Sequence, residues 1–305
     1  MKRILDCTAT DFRAMSGTDL KQSIEAAEGR TIIAEVVVTA TPLYPGLTNA
    51  EYAAAFGADM ILLNFFDVNN PKVEGLVNVA GENLIKRLKE LLGRPVGINL
   101  EPVDIHARAA ETLESLPVGR LATKESLAKA KELGVDFVCL TGNPKTGVTN
   151  DEIVTAIKNA RDVFHDDGLI IAGKMHGAGV KGEASGKIVS KEIVASFVQA
   201  GADIILVPGV GTVPGATLEK TTELIETAQN LGALTLTTIG TSQEGAERET
   251  IQQIALYNKM AGADLHHIGD AGFTGIAVPE NIMTYSIAIR GRRHTYRRMA
   301  ASILR

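Results

Sequence analysis

Four copies of one short pattern constrain this chain more than any other feature. Gly57-Ala58-Asp59 precedes MILLN, Gly134-Val135-Asp136 precedes FVCLTGN, Gly201-Ala202-Asp203 precedes IILVPGVG, and Gly262-Ala263-Asp264 precedes LHHIGDAG. In each copy an amphipathic run ends at a glycine suited to a helix C-cap, and an apolar burst follows two residues later. Each copy is therefore a helix-to-strand joint. The joints start 77, 67 and 61 residues apart, which is too long for one strand and helix and suits two. A second strand is expected in each interval, and candidates follow Gly29 (31–40), Gly93 (94–102), Gly168 (169–176) and Gly232 (233–241). Their apolar character is nearly continuous, as for strands covered on both faces.

Eight strands alternating with eight helices over 305 residues is the rhythm of a (β/α)8 barrel, built as a single α/β domain. No G-x-G-x-x-G opens a helix after the first strand, which disfavours an open dinucleotide-binding sheet. Residues 1–30 precede the first strand, with a short helix expected from Asp19 to Ala27 that caps the N-terminal end of the barrel. Residues 279–305 are expected to form a C-terminal helix starting at Pro279, with a basic tail (Arg290, Arg292, Arg293, Arg297, Arg298) read as a solvated helical face. Residues 105–122 form a long connection read as a lid, and the Gly-rich loop 177–190 is read as mobile.

A net charge of −5 and a pI near 5.8 disfavour a general nucleic-acid binder. No apolar run reaches the length of a membrane span. Two distant cysteines, Cys7 and Cys139, fit a reduced compartment, and with no secretory segment at the N-terminus the expected location is cytoplasmic. Barrels with a long C-terminal helix often associate, so a homo-oligomer is expected.

Barrel chemistry gathers at the C-terminal ends of strands and in the loops after them. Those positions hold Glu35, Asn64, Asp67, Asn99, Glu101, Thr141, Asn143, Lys174, His176, Thr238, Thr241, His266, His267 and Asp270. Polar groups inside strands of Ile, Leu and Val must pair with one another or face a ligand. Lys174, between apolar residues and glycine, is the most informative. A desolvated lysine serves as a base, a Schiff-base former or an anion anchor, and the alternative is an ion pair with Glu35 or Glu101. The turns PGVGTVPGAT, IGTSQEGA and IGDAGFTG suit an anion site, with Gly240, Thr241, Ser242, Gly272 and Gly275 as its expected core and Gly209 in the first turn. No cofactor is expected. A divalent metal is the remaining option, with one of His266 and His267 joining Asp270, His176 and Glu101, although no metal-ligand spacing supports it.

GADMILLNFFD, the lysine and histidine of GKMHGAG, and GADIILVPGVGTVPGATLE resemble segments of the phosphate-binding (β/α)8 barrels and, more loosely, of the BtpA-like family. The resemblance spans about half of the chain and implies the barrel fold and a site at its C-terminal mouth. Its one functional implication is a role in assembly or stability of a larger complex. The loops after the seventh and eighth strands depart from that family.

The resulting expectation is an enzyme acting on a small phosphorylated or carboxylated metabolite, an aldolase-like lyase or an isomerase. Lys174, Glu35, Glu101, His176 and His267 would be its catalytic groups. Asn64, Asn99, Asn143, Gly209, Gly240, Thr241, Ser242, Asp270, Gly272 and Gly275 would bind the ligand. The alternative is a non-catalytic barrel using its mouth or basic tail as a binding or assembly protein, for which a mouth filled by apolar side chains, with Lys174 buried in a closed ion pair, would be the sign.

Overall fold

A computed structural model describes residues 1–109, 111–182 and 188–305. The part of the loop 177–190 formed by residues 183–187 lies outside the described residues, as does residue 110. Two short helices, α1 (Ala9–Ala14) and α2 (Gly17–Glu25), lead into β1 (Thr31–Val37). The alternation continues with α3 (Asn49–Ala55), β2 (Met60–Asn64), α4 (Leu84–Leu92), β3 (Val96–Leu100), α5 (Lys124–Leu133) and β4 (Phe137–Leu140). Then come α6 (Asn150–Phe164), β5 (Leu169–Gly173), α7 (Lys191–Ala200), β6 (Ile204–Pro208), α8 (Leu218–Asn230), β7 (Leu234–Ile239), α9 (Arg248–Met260), β8 (Leu265–Ile268) and α10 (Pro279–Ala300). All neighbouring strands pair in parallel and β8 closes on β1, giving a (β/α)8 barrel. Among the described residues no helix is long and apolar enough to cross a membrane.

The repeated joints explain how the barrel is pinned at its N-terminal end. Their glycines have φ of 106°, 83°, 110° and 91° at Gly57, Gly134, Gly201 and Gly262, a region that side-chain-bearing residues rarely enter. Each following aspartate then reaches back to the preceding strand. The carboxylates of Asp59, Asp136, Asp203 and Asp264 accept the backbone N–H of Ile32, Val96, Ile170 and Thr235 at 2.8, 2.8, 3.0 and 2.8 Å. The N–H of each aspartate donates to the carbonyl of that same strand residue. One side chain thus satisfies a strand-end donor that the ladder leaves open, four times around the ring.

Strand parity sorts the core. Ile33, Met60, Leu62, Phe137, Leu169, Ile171, Ile204, Leu206, Leu234, Leu236 and Leu265 fill the barrel, and Ile4, Leu5, Phe12, Leu20 and Ile24 close it from below. The alternate strand residues, Ile32, Ile61, Ile98, Val138, Ile170 and Ile205 among them, face the helical layer. The helix expected from Asp19 starts earlier, at Gly17, because Ser16 is its cap, in a reciprocal box with Asp19.

The basic tail is solvated only in part: Arg292, Arg293 and Arg297 are exposed, and Arg290 and Arg298 are not. Arg290 and Arg298 are buried and both pair with Asp59, at 2.5 and 2.6 Å, and Arg298 also donates to the carbonyl of Cys7 at 3.0 Å. Arg94 joins this network through the carbonyl of Arg298 at 2.8 Å. Burial and the charge of Arg298 lower its pKa to about 9. The tail folds back because one fully buried aspartate needs cationic partners.

Candidate active site

The inward parity that fills the barrel with aliphatic side chains continues upward into a polar layer. Glu35 follows Ile33, Asn64 follows Leu62, Asn99 follows Gly97, Thr141 follows Cys139 and His267 follows Leu265. Above this layer lies a cavity of about 510 Å³ whose lining includes Glu35, Asn64, Asn99, Thr141, Asn143, His176, Gly240, Thr241, Ser242 and Asp270. Glu111, from the connection after β3, reaches its edge. That connection is tied to the loops after β4 and β5 by Glu114 N to Lys145 O (2.8 Å) and Lys181 N to Arg108 O (2.8 Å), so it covers one side of the mouth.

Glu35 and Asp270 are the acid groups that face this space from the strand ends, with Glu111 at its edge. Burial, reinforced by the charges of Glu244 and Glu101, raises the pKa of Glu35 to about 8. Burial and the charge of Glu35 raise Asp270 to about 7, against the opposing hydrogen bond from Asn64. His267 lies behind Glu35, its Nε2 3.1 Å from Glu35 Oε2. Burial lowers its pKa to about 4, so at neutral pH the imidazole is uncharged and the contact joins it to a Glu35 carboxyl that is itself largely protonated. His176 is also held neutral, its pKa lowered to about 4 by burial and by the charge of Lys174. Its Nδ1 accepts the N–H of Ala178 at 3.1 Å, which leaves the ring proton on Nε2.

An amide cluster orients the acids. Asn64 Nδ2 donates to Asp270 Oδ2 and to Asn143 Oδ1, each at 2.8 Å. Asn64 Oδ1 accepts from Phe65 N (2.9 Å), Asn143 Nδ2 (3.0 Å) and Asn99 Nδ2 (3.2 Å). The bond to Phe65 accompanies a φ of 62° at that residue, a strained backbone held further by the Arg120 guanidinium 4.2 Å over its ring.

Several expected residues lie elsewhere. Lys174 is buried but does not line the cavity. It shares parity with Ile170 and Ala172, which face the helical layer, and its Nζ donates to the carbonyl of Val148 at 2.7 Å. It is therefore not placed to form a Schiff base in this cavity, nor does it pair with Glu35 or Glu101. Glu101 is ion-paired with Arg120 and accepts the N–H of Asn143 at 3.1 Å, which makes it a positioning group beneath the mouth. The expected anion core is divided: Gly240 to Ser242 line the cavity, whereas Gly272 packs on Glu244 and Gly275 packs on Val37 and Ala40. Gly209 packs against Asn258 and the carbonyl of Thr238. Asp67 accepts the N–H of Asn69 in its own loop at 2.8 Å.

The metal donor set also does not assemble. His266 points to the other side of β8, where Nε2 meets the carbonyl of Gly29 at 3.0 Å and Nδ1 meets Tyr285. Among the described residues no three His, Cys, Asp or Glu side chains converge as a metal site.

Glu244 is the residue that sequence reasoning missed. It is buried in the turn after β7, with Oε1 accepting the N–H of Ala271 at 3.3 Å and Oε2 unpartnered among the described residues. Burial raises its pKa, and its charge acts on both Glu35 and His267. The only sequence signal was its membership of the turn GTSQEGA. A second hollow of about 250 Å³ lies between the starts of α7 and α8, and its charged residues are exposed, Lys191 pairing with Glu223 at 3.4 Å. It offers no buried titratable group.

The fold is shared with solved enzymes. A crystal structure of an archaeal fructose 1,6-bisphosphate aldolase is similar with a TM-score of 0.52 and 15% identity, over 92% of this chain and 98% of its own. The multifunctional pyruvate carboxylase from Rhizobium etli is similar with a TM-score of 0.52 and 11% identity, over 96% of this chain and 30% of the carboxylase. At such identities the likeness is one of fold alone. No curated protein matches the sequence. A family model described as Domain of unknown function (DUF7916) matches residues 5–305, and the chain belongs to that family.

Proposed function

We propose that this barrel is an enzyme of proton-transfer chemistry, an isomerase or a lyase acting on a small polar metabolite, with Glu35 and Asp270 as its acid and base. One observation carries the reading: two carboxyl groups from adjoining strand ends face a single cavity, and their environments place them at about 8 and about 7. A catalytic acid and base work best with pKa values near the working pH. Between these two values Asp270 is largely ionised and Glu35 largely protonated. Asp270, aimed by Asn64, takes a proton from a substrate carbon beside a carbonyl. Glu35 gives its proton to the carbonyl oxygen as the enol forms. Asp270 then returns its proton to the former carbonyl carbon while Glu35 takes back the proton of the hydroxyl on the carbon that Asp270 deprotonated, which completes an isomerisation. In the lyase outcome Asp270 instead takes the proton of a hydroxyl on the carbon β to the carbonyl, that oxygen becomes a carbonyl as the carbon–carbon bond breaks, and Glu35 protonates the oxygen of the enol released. His267, neutral behind Glu35, fixes the orientation of its carboxyl group.

The test follows exchange of substrate C–H for deuterium by NMR, with a set of small carbonyl metabolites in D2O. The wild type should catalyse exchange on at least one of them, with a bell-shaped pH profile centred between the two pKa values. Asp270→Asn and Glu35→Gln should each slow it by roughly a hundredfold or more. Absence of exchange by the wild type, or rates unchanged in both variants, overturns the proposal.

A further inference from the structure

In and beside the amide cluster, two buried polar atoms have no hydrogen-bond partner among the described residues. The N–H of Phe65 can only donate, so the atom of Asn64 that receives it at 2.9 Å must be the carbonyl oxygen. Asn99 Nδ2 donates to that same oxygen at 3.2 Å, which turns Asn99 Oδ1 away from the cluster. Asn99 is 3% exposed, lines the cavity, and its Oδ1 has no partner among the described residues. Thr141 is 2% exposed, lines the same cavity, and its Oγ1 is likewise unpartnered. The two are neighbours: Asn99 pairs with Cys139 across β3 and β4, and Thr141 is the next inward residue above Cys139. A buried acceptor such as Asn99 Oδ1 and a buried hydroxyl such as Thr141 Oγ1, which both donates and accepts, are costly to leave unmet and mark where a ligand's polar groups go.

Charge narrows the ligand. Among the described residues no lysine or arginine lines the cavity, whereas Glu35, Glu111 and Asp270 do. The buried cations nearby are engaged elsewhere, Lys174 on the carbonyl of Val148 and Arg120 on Glu101. A phosphate or carboxylate would be desolvated against carboxyl groups with no cation to compensate it. The volume of about 510 Å³ is that of a small-molecule site.

On the acid–base reading of this site, we infer that its substrate is an uncharged polyhydroxylated carbonyl compound, one of whose hydroxyl groups donates to Asn99 Oδ1 while a second exchanges a hydrogen bond with the Thr141 hydroxyl. The Nε2–H of His176 supplies a donor for a third oxygen. The phosphorylated or carboxylated metabolite expected from the sequence is replaced by its uncharged counterpart.

Isothermal titration of the full chain with uncharged three- to six-carbon aldoses, ketoses and alditols, their phosphate esters, and inorganic phosphate tests this. At least one uncharged compound should bind, and its phosphate ester and inorganic phosphate should bind more weakly. Thr141→Val, close in shape to threonine, should weaken binding by roughly tenfold, and Thr141→Ser should restore it. Tighter binding of phosphate or a phosphate ester, no binding by any uncharged compound, or binding unchanged in Thr141→Val overturns the assignment. Binding of an uncharged compound by the wild type that weakens in Thr141→Val supports the assignment whether or not deuterium exchange is observed, so the two proposals fail separately.

Discussion

Replacing Glu35 with glutamine removes one titrating proton from the barrel mouth while keeping the side chain's shape. The sign follows from linkage. Burial raises the pKa of Glu35 from 4.5 to about 8 in the folded chain, so the folded state binds the proton more tightly than the unfolded one. Wild-type stability is therefore fully present below pH 4.5 and is lost as pH rises toward 8. At roughly 1.4 kcal/mol for each tenfold change in acidity, the full loss has an upper value on the order of 5 kcal/mol, reduced by water reaching the open cavity. Three histidines act in the opposite direction at lower pH. His176, His266 and His267 are each lowered from 6.5 to about 4, chiefly by burial, so stability gained from their neutral forms rises between pH 4 and 6.5. All three are present in both proteins; His176 and His266 cancel in the comparison, and His267, which touches Glu35, titrates chiefly below the pH range compared. Urea unfolding of wild type and Glu35→Gln at pH 5 and pH 9 should show the variant gaining on the wild type at pH 9 by on the order of 2 to 5 kcal/mol. A change of less than roughly 1 kcal/mol, or one favouring the wild type, would refute the claim that Glu35 is held protonated.

Asp59→Asn should destabilise the chain by about 3 to 5 kcal/mol in urea unfolding, because it leaves Arg290 and Arg298 buried without their carboxylate. Asp264→Asn, whose aspartate meets the Gln229 amide at 3.0 Å, should cost only about 1 kcal/mol. Gly269→Ala puts a Cβ 2.5 Å from Glu244 Oε1 and 2.6 Å from the carbonyl of Ile239. Thermal unfolding should register about 1 to 3 kcal/mol of destabilisation as Glu244 is displaced. Borohydride reduction in the presence of a carbonyl compound should leave Lys174 unlabelled by mass spectrometry, since its Nζ lies on the carbonyl of Val148; a reduced adduct on Lys174 would contradict its placement outside the cavity.

The joints at Gly57, Gly134, Gly201 and Gly262 made the barrel legible, because a helix C-cap and a strand start are both local events. The polar strand ends were legible too, and Glu35, Asn64, Asn99, Thr141, Asn143, His176 and Asp270 do meet at one cavity. Lys174 was misplaced for a physical reason: strands covered on both faces show no alternation of apolar and polar residues, so the sequence does not tell which parity points inward. Once Leu169 and Ile171 are seen inside the barrel, Lys174 must point out. Glu244 was hidden because its burial depends on the turns after β7 and β8 packing together, where Gly245 and Gly272 touch. The burial of Arg290 and Arg298 on Asp59 joins positions more than two hundred residues apart, which no local pattern encodes.

The central claim is that Glu35 and Asp270 share one cavity and carry protons near neutral pH. Titration of their side-chain carboxyl carbons by ¹³C NMR, assigned with Glu35→Gln and Asp270→Asn, measures this directly. The account predicts midpoints near 8 for Glu35 and near 7 for Asp270, with each midpoint moving when the other residue is replaced. Two independent midpoints in the ordinary carboxylate range, about 4 to 5, would contradict it.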